Sequence, residues 1–321
     1  MVKPKIALYW CSSCGGCEES VLDLAERLLA LLDAVDIVFW PVAFDWKTAD
    51  IEKMRDGELD AVFVNGAVRT ADQLDMVRLL RSKARLLFAH GSCAHLGGVY
   101  GLANFFSAKS VLRRSFQEIP AIERPAGPRQ KQSGAPQQGA GCELPRFFER
   151  VRPLDQAVPV DYFIPGCPPP SKLVWKAVKG FLNGDLPQKG TVLAERQALC
   201  RFCKRKESMP DRFAFDRFKR LHETTPDPDI CFLAQGLVCL GPSTRGGCDS
   251  RCIDANMPCR GCFGPVGDVQ DQGAKSLAFL VSLSDRKDPD EIEILAKSLP
   301  DPGGLFYRYS LPSSTCKGKA R

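Results

Sequence analysis

Fifteen cysteines against three histidines in 321 residues set the chemistry open to this chain. Thiolates are soft ligands that suit iron–sulfur clusters and zinc, and they also do redox work of their own. The scarcity of histidine argues against the mixed Cys/His sites common for zinc. The cysteines fall into two patterns. In the first half, Cys14, Cys17, Cys93 and Cys167 each follow an apolar run and stand near Gly or Pro. In the second half, Cys200, Cys203, Cys231, Cys239, Cys248, Cys252, Cys259 and Cys262 occupy 63 residues. That density exceeds the roughly 8–10% that signals a thiol-held scaffold. Two Cys-x-x-Cys pairs, Cys200/Cys203 and Cys259/Cys262, bracket the eight, which make two four-thiolate sites. Zinc ribbons join two such pairs per site. One pair plus two single cysteines is the ferredoxin-like pattern, so spacing favours iron–sulfur, with zinc as the alternative.

The elements that must position these thiols read as alternating strands and helices. Apolar runs at 6–10, 36–40, 61–64, 85–89 and 160–164 predict five buried strands, and the segment near 71–83 predicts a helix. Val21, Leu22, Ala25, Leu28, Leu29 and Leu32 predict one face of a helix that begins at Glu18, Glu19 and Ser20. Leu173, Val174, Ala177, Val178, Phe181 and Leu182 predict another, stopped at Gly184. Strands alternating with helices imply an α/β, flavodoxin-like, doubly wound parallel sheet. Cys14 and Cys17 follow the first strand, Cys93 the fourth and Cys167 the fifth. The carboxyl ends of parallel strands share one edge, so these four thiols can meet there. Glycines 15 and 16 leave room for a bulky group, and a helix N-terminus favours thiolates.

The character changes near Pro187. This predicts a first domain over 1–187 and a Cys-rich, loop-and-helix domain over 188–321. Large apolar residues look sparse in the second, which points to bound metal as a source of its stability. The segment 123–141, rich in Pro, Gly and Gln, reads as a surface loop. A net charge of +6, with no basic stripe interleaved with aromatics, excludes nucleic acid as a partner class. The apolar runs fall short of the roughly 18 residues of a membrane helix. The start MVKPKIALYW carries no signal-peptide pattern, which predicts a cytoplasmic protein, where disulfides are disfavoured.

At these residues the chain resembles the small, electron-transferring subunit of NiFe-hydrogenases, closest to the cytoplasmic methyl-viologen-reducing type. The C-x-G-C-x-E motif stands as Cys14-Gly-Gly-Cys17-Glu-Glu19. G-x-C-A-x-x-G-G stands as Gly91-Ser-Cys93-Ala-His-Leu-Gly97-Gly98, and P-G-C-P-P as Pro165-Gly-Cys167-Pro-Pro169. The C-terminal signature is CFLAQGLVCLGPSTRGGCDSRC and MPCRGCFGP, within residues 231–265. The resemblance implies a flavodoxin-like domain and three iron–sulfur clusters in a line, all of the 4Fe-4S type. Cys14, Cys17, Cys93 and Cys167 would hold the proximal cluster. Cys248, Cys252, Cys259 and Cys262 would hold the medial one, and Cys200, Cys203, Cys231 and Cys239 the distal one. Periplasmic relatives often carry His where Cys200 stands and lack a counterpart of Cys252.

Oxygen-tolerant relatives carry two more cysteines, at the positions of Gly16 and Val99, so an oxygen-sensitive centre is implied. The partners implied are a NiFe large subunit, which splits hydrogen, and an iron–sulfur or flavoprotein acceptor of the heterodisulfide-reductase-like kind. No catalytic residue is expected in this chain. Cys11, Cys142 and Cys316 match no motif and read as structural. His90 and His95 read as structural histidines beside Cys93, His222 as a surface residue, and Glu18 and Glu19 as acidic residues favouring the helix dipole. Two other readings stand beside this one. A complex I subunit of related fold would use adjacent Cys-Cys ligands, which this chain lacks. A non-catalytic zinc-binding module is the other.

Overall fold

The structure is a computed structural model that describes residues 2–45, 47–119, 144–299 and 301–317. The segment 123–141 and Cys142 lie outside the described residues.

Among the described residues eight strands form: β1 (Lys5–Trp10), β2 (Asp36–Phe39), β3 (Leu59–Asn65), β4 (Val68–Thr70), β5 (Ala84–His90), β6 (Phe147–Arg152), β7 (Tyr162–Ile164) and β8 (Thr191–Val192). Six of them make one parallel sheet in the order β2-β1-β3-β5-β7-β8. Renumbered within the sheet, that order is 2-1-3-4-5-6, the flavodoxin-like winding with its switch point beside β1. The central strands are apolar runs because both faces are covered. Along β3, Val62 and Val64 enter one core with Val77, Leu80 and Leu87, while Ala61 and Phe63 enter the other with Ile6, Phe88 and Val174. The β4–β6 antiparallel pair and the two-residue β8 were not expected.

The helices over the sheet are α1 (Gly16–Leu22), α2 (Glu26–Ala34), α3 (Thr48–Glu52), α4 (Ala71–Lys83), α5 (Ser92–Leu96), α6 (Ala108–Arg113) and α7 (Ser171–Asn183). Gly184, at φ +72°, ends α7 as its spacing predicted. The single helix expected after the first strand is instead two. Ala25 adopts φ +51° between α1 and α2. The break turns the second segment, so Leu24 and Leu31 are buried whereas Leu22, Leu29 and Leu32 face outward. The fifth expected strand is shorter than predicted and begins at Tyr162.

Residues 193 onward carry short helices, namely α8 (Arg251–Asp254), α9 (Gln272–Ser282), α10 (Pro289–Lys297) and α11 (Pro302–Phe306), among loops. This part is better packed than its composition promised. Phe218, Phe232, Leu233, Leu240, Ile253 and Leu280 lie in a third core that also takes in Cys239 and Cys259. Phe263 and Cys262 pack instead against the core under α7. No helix among the described residues is long and apolar enough to cross a membrane.

Candidate metal centres

Three turns at the carboxyl edge of the sheet carry the first group of thiols. β1 leads through Cys14 into α1, β5 leads into α5 with Cys93, and β7 leads through Cys167 into α7. Around Cys17, the thiols of Cys93, Cys167 and Cys14 lie close enough for their charges to act on it, and Cys93 feels Cys167 and Cys14 in the same way. Cys17 and Cys93 are buried, while Cys14 and Cys167 are exposed. Burial, then the neighbouring thiols, pushes Cys93 up to about 12 and Cys17 well above the ordinary thiol range. Four thiolates so placed are not stable as free anions and call for a cationic centre among them. Two glycines make the space. A Cβ on Gly91 would sit 2.3 Å from the Cys17 sulfur, and one on Gly98 would sit 2.4 Å from the Cys93 sulfur. Both have positive φ, +88° and +61°.

Cys200, Cys203, Cys231 and Cys239 line one small cavity with Leu199, Phe232 and Ile253 behind them. Cys200 feels the charges of the other three. Burial raises Cys239 to about 11, against the pull of the Gly241 and Cys259 N–H groups. The bare α-carbon of Gly241 leaves room here too: a Cβ on it would lie 3.1 Å from the Cys200 sulfur.

The remaining four cysteines connect these groups. Cys262 is raised to about 12 by burial and by Cys167, Cys248 and Cys252. It therefore faces both its own group and the first one. The Ser92 hydroxyl donates to the Cys262 carbonyl at 2.5 Å, a tie from the turn after β5. Cys259 has Cys239 and Cys262 as charge neighbours, so it stands between the second group and the third. The charge neighbours thus run from Cys167 to Cys262, to Cys259, to Cys239, the last pair joined by a hydrogen bond from the Cys259 N–H to the Cys239 sulfur. Among the described residues, no three His, Cys, Asp or Glu side chains form a site for a single metal ion. Thiols that ligate a cluster surround a body of several atoms and stand further apart than ligands of one ion.

Cys11 does not join any group. It is buried in the core under β1 and β3, and its N–H donates to the Asn65 carbonyl. Cys316 is exposed, with its sulfur 3.8 Å from the Tyr307 hydroxyl. His90 is buried, its Nε2 3.1 Å from the Ser20 hydroxyl, and burial lowers it to about 4. His95 packs on the Phe163 ring at 4.8 Å and is lowered to about 3, by burial and then by Arg245. Both are therefore neutral structural groups near neutral pH. His222 is exposed, as is Glu19.

Glu18 departs from its reading as a helix-dipole residue. It is buried, and it accepts hydrogen bonds from Trp40 Nε1 and Asn65 Nδ2. Ser13 in turn donates to Asn65 Oδ1 at 2.9 Å. This network fixes the turn that carries Cys14 and Cys17. Its partners lie 22 and 47 residues away, so no local pattern could reveal it.

The matches to known proteins follow this geometry. Residues 14–181 match the family described as NADH ubiquinone oxidoreductase, 20 Kd subunit. Over 319 residues, 98% of both chains, the protein is 35% identical to the iron-sulfur subunit of the F420-non-reducing hydrogenase of Archaeoglobus profundus. The chain belongs to this family of hydrogenase iron–sulfur subunits. It is 33% identical to the corresponding F420-non-reducing hydrogenase subunit of Methanothermobacter thermautotrophicus, over 97% of this chain and 96% of that one. As a family member it is an oxidoreductase subunit. In fold it resembles a chain of the NiFeSe hydrogenase of Desulfovibrio vulgaris Hildenborough, with a TM-score of 0.53, 17% identity, and coverage of 83% of this chain and 94% of that one. The eight C-terminal cysteines lie beyond the matched part of the 20 Kd family, within the span shared with the hydrogenase subunits.

Proposed function

We propose that this chain is the electron-transfer subunit of a cytoplasmic NiFe-hydrogenase, holding three 4Fe-4S clusters in series between a hydrogen-splitting large subunit and an acceptor protein. The acceptor is an iron–sulfur or flavoprotein of the heterodisulfide-reductase-like kind. The relatives' names supply the hydrogenase and the iron–sulfur content. The observation that carries the relay is the run of charge neighbours from Cys167 through Cys262 and Cys259 to Cys239, with the Cys259 N–H bonded to the Cys239 sulfur. It supports three neighbouring ligand sets rather than three unrelated ones.

Cys14, Cys17, Cys93 and Cys167 form the proximal set, Cys248, Cys252, Cys259 and Cys262 the medial set, and Cys200, Cys203, Cys231 and Cys239 the distal set. Bound there, iron–sulfur clusters supply one-electron redox centres. The chain's own residues do the rest. Gly91, Gly98 and Gly241 keep space beside the sulfurs. The N–H groups of Val99, Gly241 and Cys259 point at thiols, which stabilises their anionic form. The exposed edge around Cys14 and Cys167 is the face for the large subunit, with Val99 and Tyr100 exposed beside it. The absence of cysteine at positions 16 and 99 makes the proximal centre oxygen-sensitive. Two domains, 1–187 and 188–321, divide the work, the first, whose sheet is completed by β8 of the second, carrying the proximal set and the second the other two.

Anaerobic reconstitution followed by iron and acid-labile sulfide assay tests this reading. About twelve of each per chain are expected for three clusters with four thiolate ligands apiece. Fewer than about eight of either, or a colourless zinc protein, contradicts it.

A further inference from the structure

A buried cation needs a partner, and one here has only neutral acceptors. Arg205 stands two residues after Cys203 in the charged run 204–207, yet it is only 2% exposed. Its Nη1 donates to the carbonyls of Asp227 and Ile230, both at 3.2 Å. Its Nη2 donates to Asn256 Oδ1 at 2.8 Å. The guanidinium lies over the Phe232 ring at 4.1 Å, and its buried Nε has no acceptor. Among the described residues no carboxylate pairs with it. An isolated buried charge of this kind is strongly unfavourable unless an opposite charge lies nearby.

Thiols that turn anionic when they hold a cluster line the same cavity. Arg205 lines it together with Cys200, Cys203, Cys231 and Cys239. The guanidinium also holds the loop that delivers one of those thiols. Ile230, which accepts from Nη1, precedes Cys231, and the Cys231 N–H donates to Ser208 Oγ at 2.7 Å. Ser208 Oγ donates back to the Arg205 carbonyl at 3.0 Å. Through Asn256, Arg205 reaches the turn between Cys252 and Cys259 as well.

We propose that Arg205 is the resident counter-cation of the Cys200/Cys203/Cys231/Cys239 set, a positioning residue that raises the reduction potential of the cluster held there. The inference rests on the three-cluster reading. Four thiolates around a 4Fe-4S core leave a net negative charge that grows on reduction, so a fixed positive charge in a dry site favours the reduced state. The hydrogen bonds to neutral carbonyls hold the guanidinium in place without cancelling its charge.

The test is an EPR-monitored redox titration of the anaerobically reconstituted full chain, compared with Arg205→Gln and Arg205→Lys. The signal lost in Cys203→Ala identifies the cluster concerned. In Arg205→Gln the ratio of reduced to oxidised cluster at a fixed poise falls roughly tenfold, about 59 mV for a one-electron couple. Arg205→Lys keeps most of the wild-type ratio, and the other two signals stay in place. If Arg205→Gln loses about four irons while Arg205→Lys retains them, the requirement for charge is also supported. An unchanged potential in Arg205→Gln, an equal shift in Arg205→Lys, or loss of the irons in both variants overturns the proposal. A wild-type chain lacking the third cluster would defeat the three-cluster reading itself, before Arg205 is tested.

Discussion

The Cys259 N–H donates to the Cys239 sulfur at 3.3 Å, which ties the Cys259/Cys262 pair to the cavity lined by Cys200, Cys203, Cys231 and Cys239. Cys239 is buried in the C-terminal core and lines the cavity shared by Cys200, Cys203 and Cys231. Cys239→Ala is expected to lose about four irons and leave about eight, measured by iron assay. Cys316→Ala, at an exposed position outside every group, is expected to lose none.

Gly91 packs where a side chain cannot go. A Cβ would meet the Cys17 sulfur at 2.3 Å, at a φ of +88° that L residues rarely adopt. Gly91→Ala is therefore expected to destabilise the chain by roughly 1–3 kcal/mol through backbone strain and to reduce proximal-set iron. Thermal melting and iron content check the two effects separately. Gly190→Ala, at φ +87° with no atom within 4 Å of the added carbon, is the control for strain without crowding.

Glu18 satisfies two buried donors at once, Trp40 Nε1 and Asn65 Nδ2. Burial raises its pKa, and the two hydrogen bonds oppose that rise. Glu18→Ala would leave the Trp40 Nε1–H unpaired and Asn65 Nδ2 with only the Tyr9 carbonyl at 3.4 Å, at a cost of roughly 1–3 kcal/mol. Denaturant unfolding of the reconstituted chain measures it, with the accompanying loss confined to the iron of the proximal set.

Asp161 ties β5 to the β7 edge. It accepts from the Leu87 N–H at 2.8 Å and pairs with Arg81 and Lys189, each at 2.7 Å. Burial pushes its carboxyl up, but the bonds from Lys189, Leu87 and Arg81 outweigh this and hold it below the ordinary carboxylate range. A lowered folded-state pKa gives stability that is complete above the unfolded value near 4 and is lost as pH falls through the folded one. Asp161→Asn is expected to lower stability by roughly 1–2 kcal/mol at pH 7. The gap to wild type closes as the pH falls below the unfolded value near 4 and through the lowered native one.

Much of the first half was legible because parallel strands buried on both faces must be apolar runs. β1, β3 and β5 are such runs, and the turns after β1 and β5 carry cysteines. The break at Ala25 was not legible: an alanine at φ +51° answers to tertiary packing, not to its own propensity. β8 is two residues long, too short to show a period. The C-terminal core is hidden in the sequence because its apolar residues, such as Phe218, Leu237 and Leu280, are dispersed between glycines and cysteines and show no repeat. Glu18 reads as a helix-dipole residue from its place at the start of α1, and Arg205 belongs to no motif. Only the long-range partners Trp40, Asn65 and Asn256 reveal their burial.

The most direct measurement is an anaerobic crystal structure with anomalous data at the iron edge. Three iron sites are expected, with the middle one ligated by Cys248, Cys252, Cys259 and Cys262 and placed between Cys167 and Cys239. Fewer than three sites, a middle site on other residues, or these sulfurs joined to one another as disulfides would contradict the account.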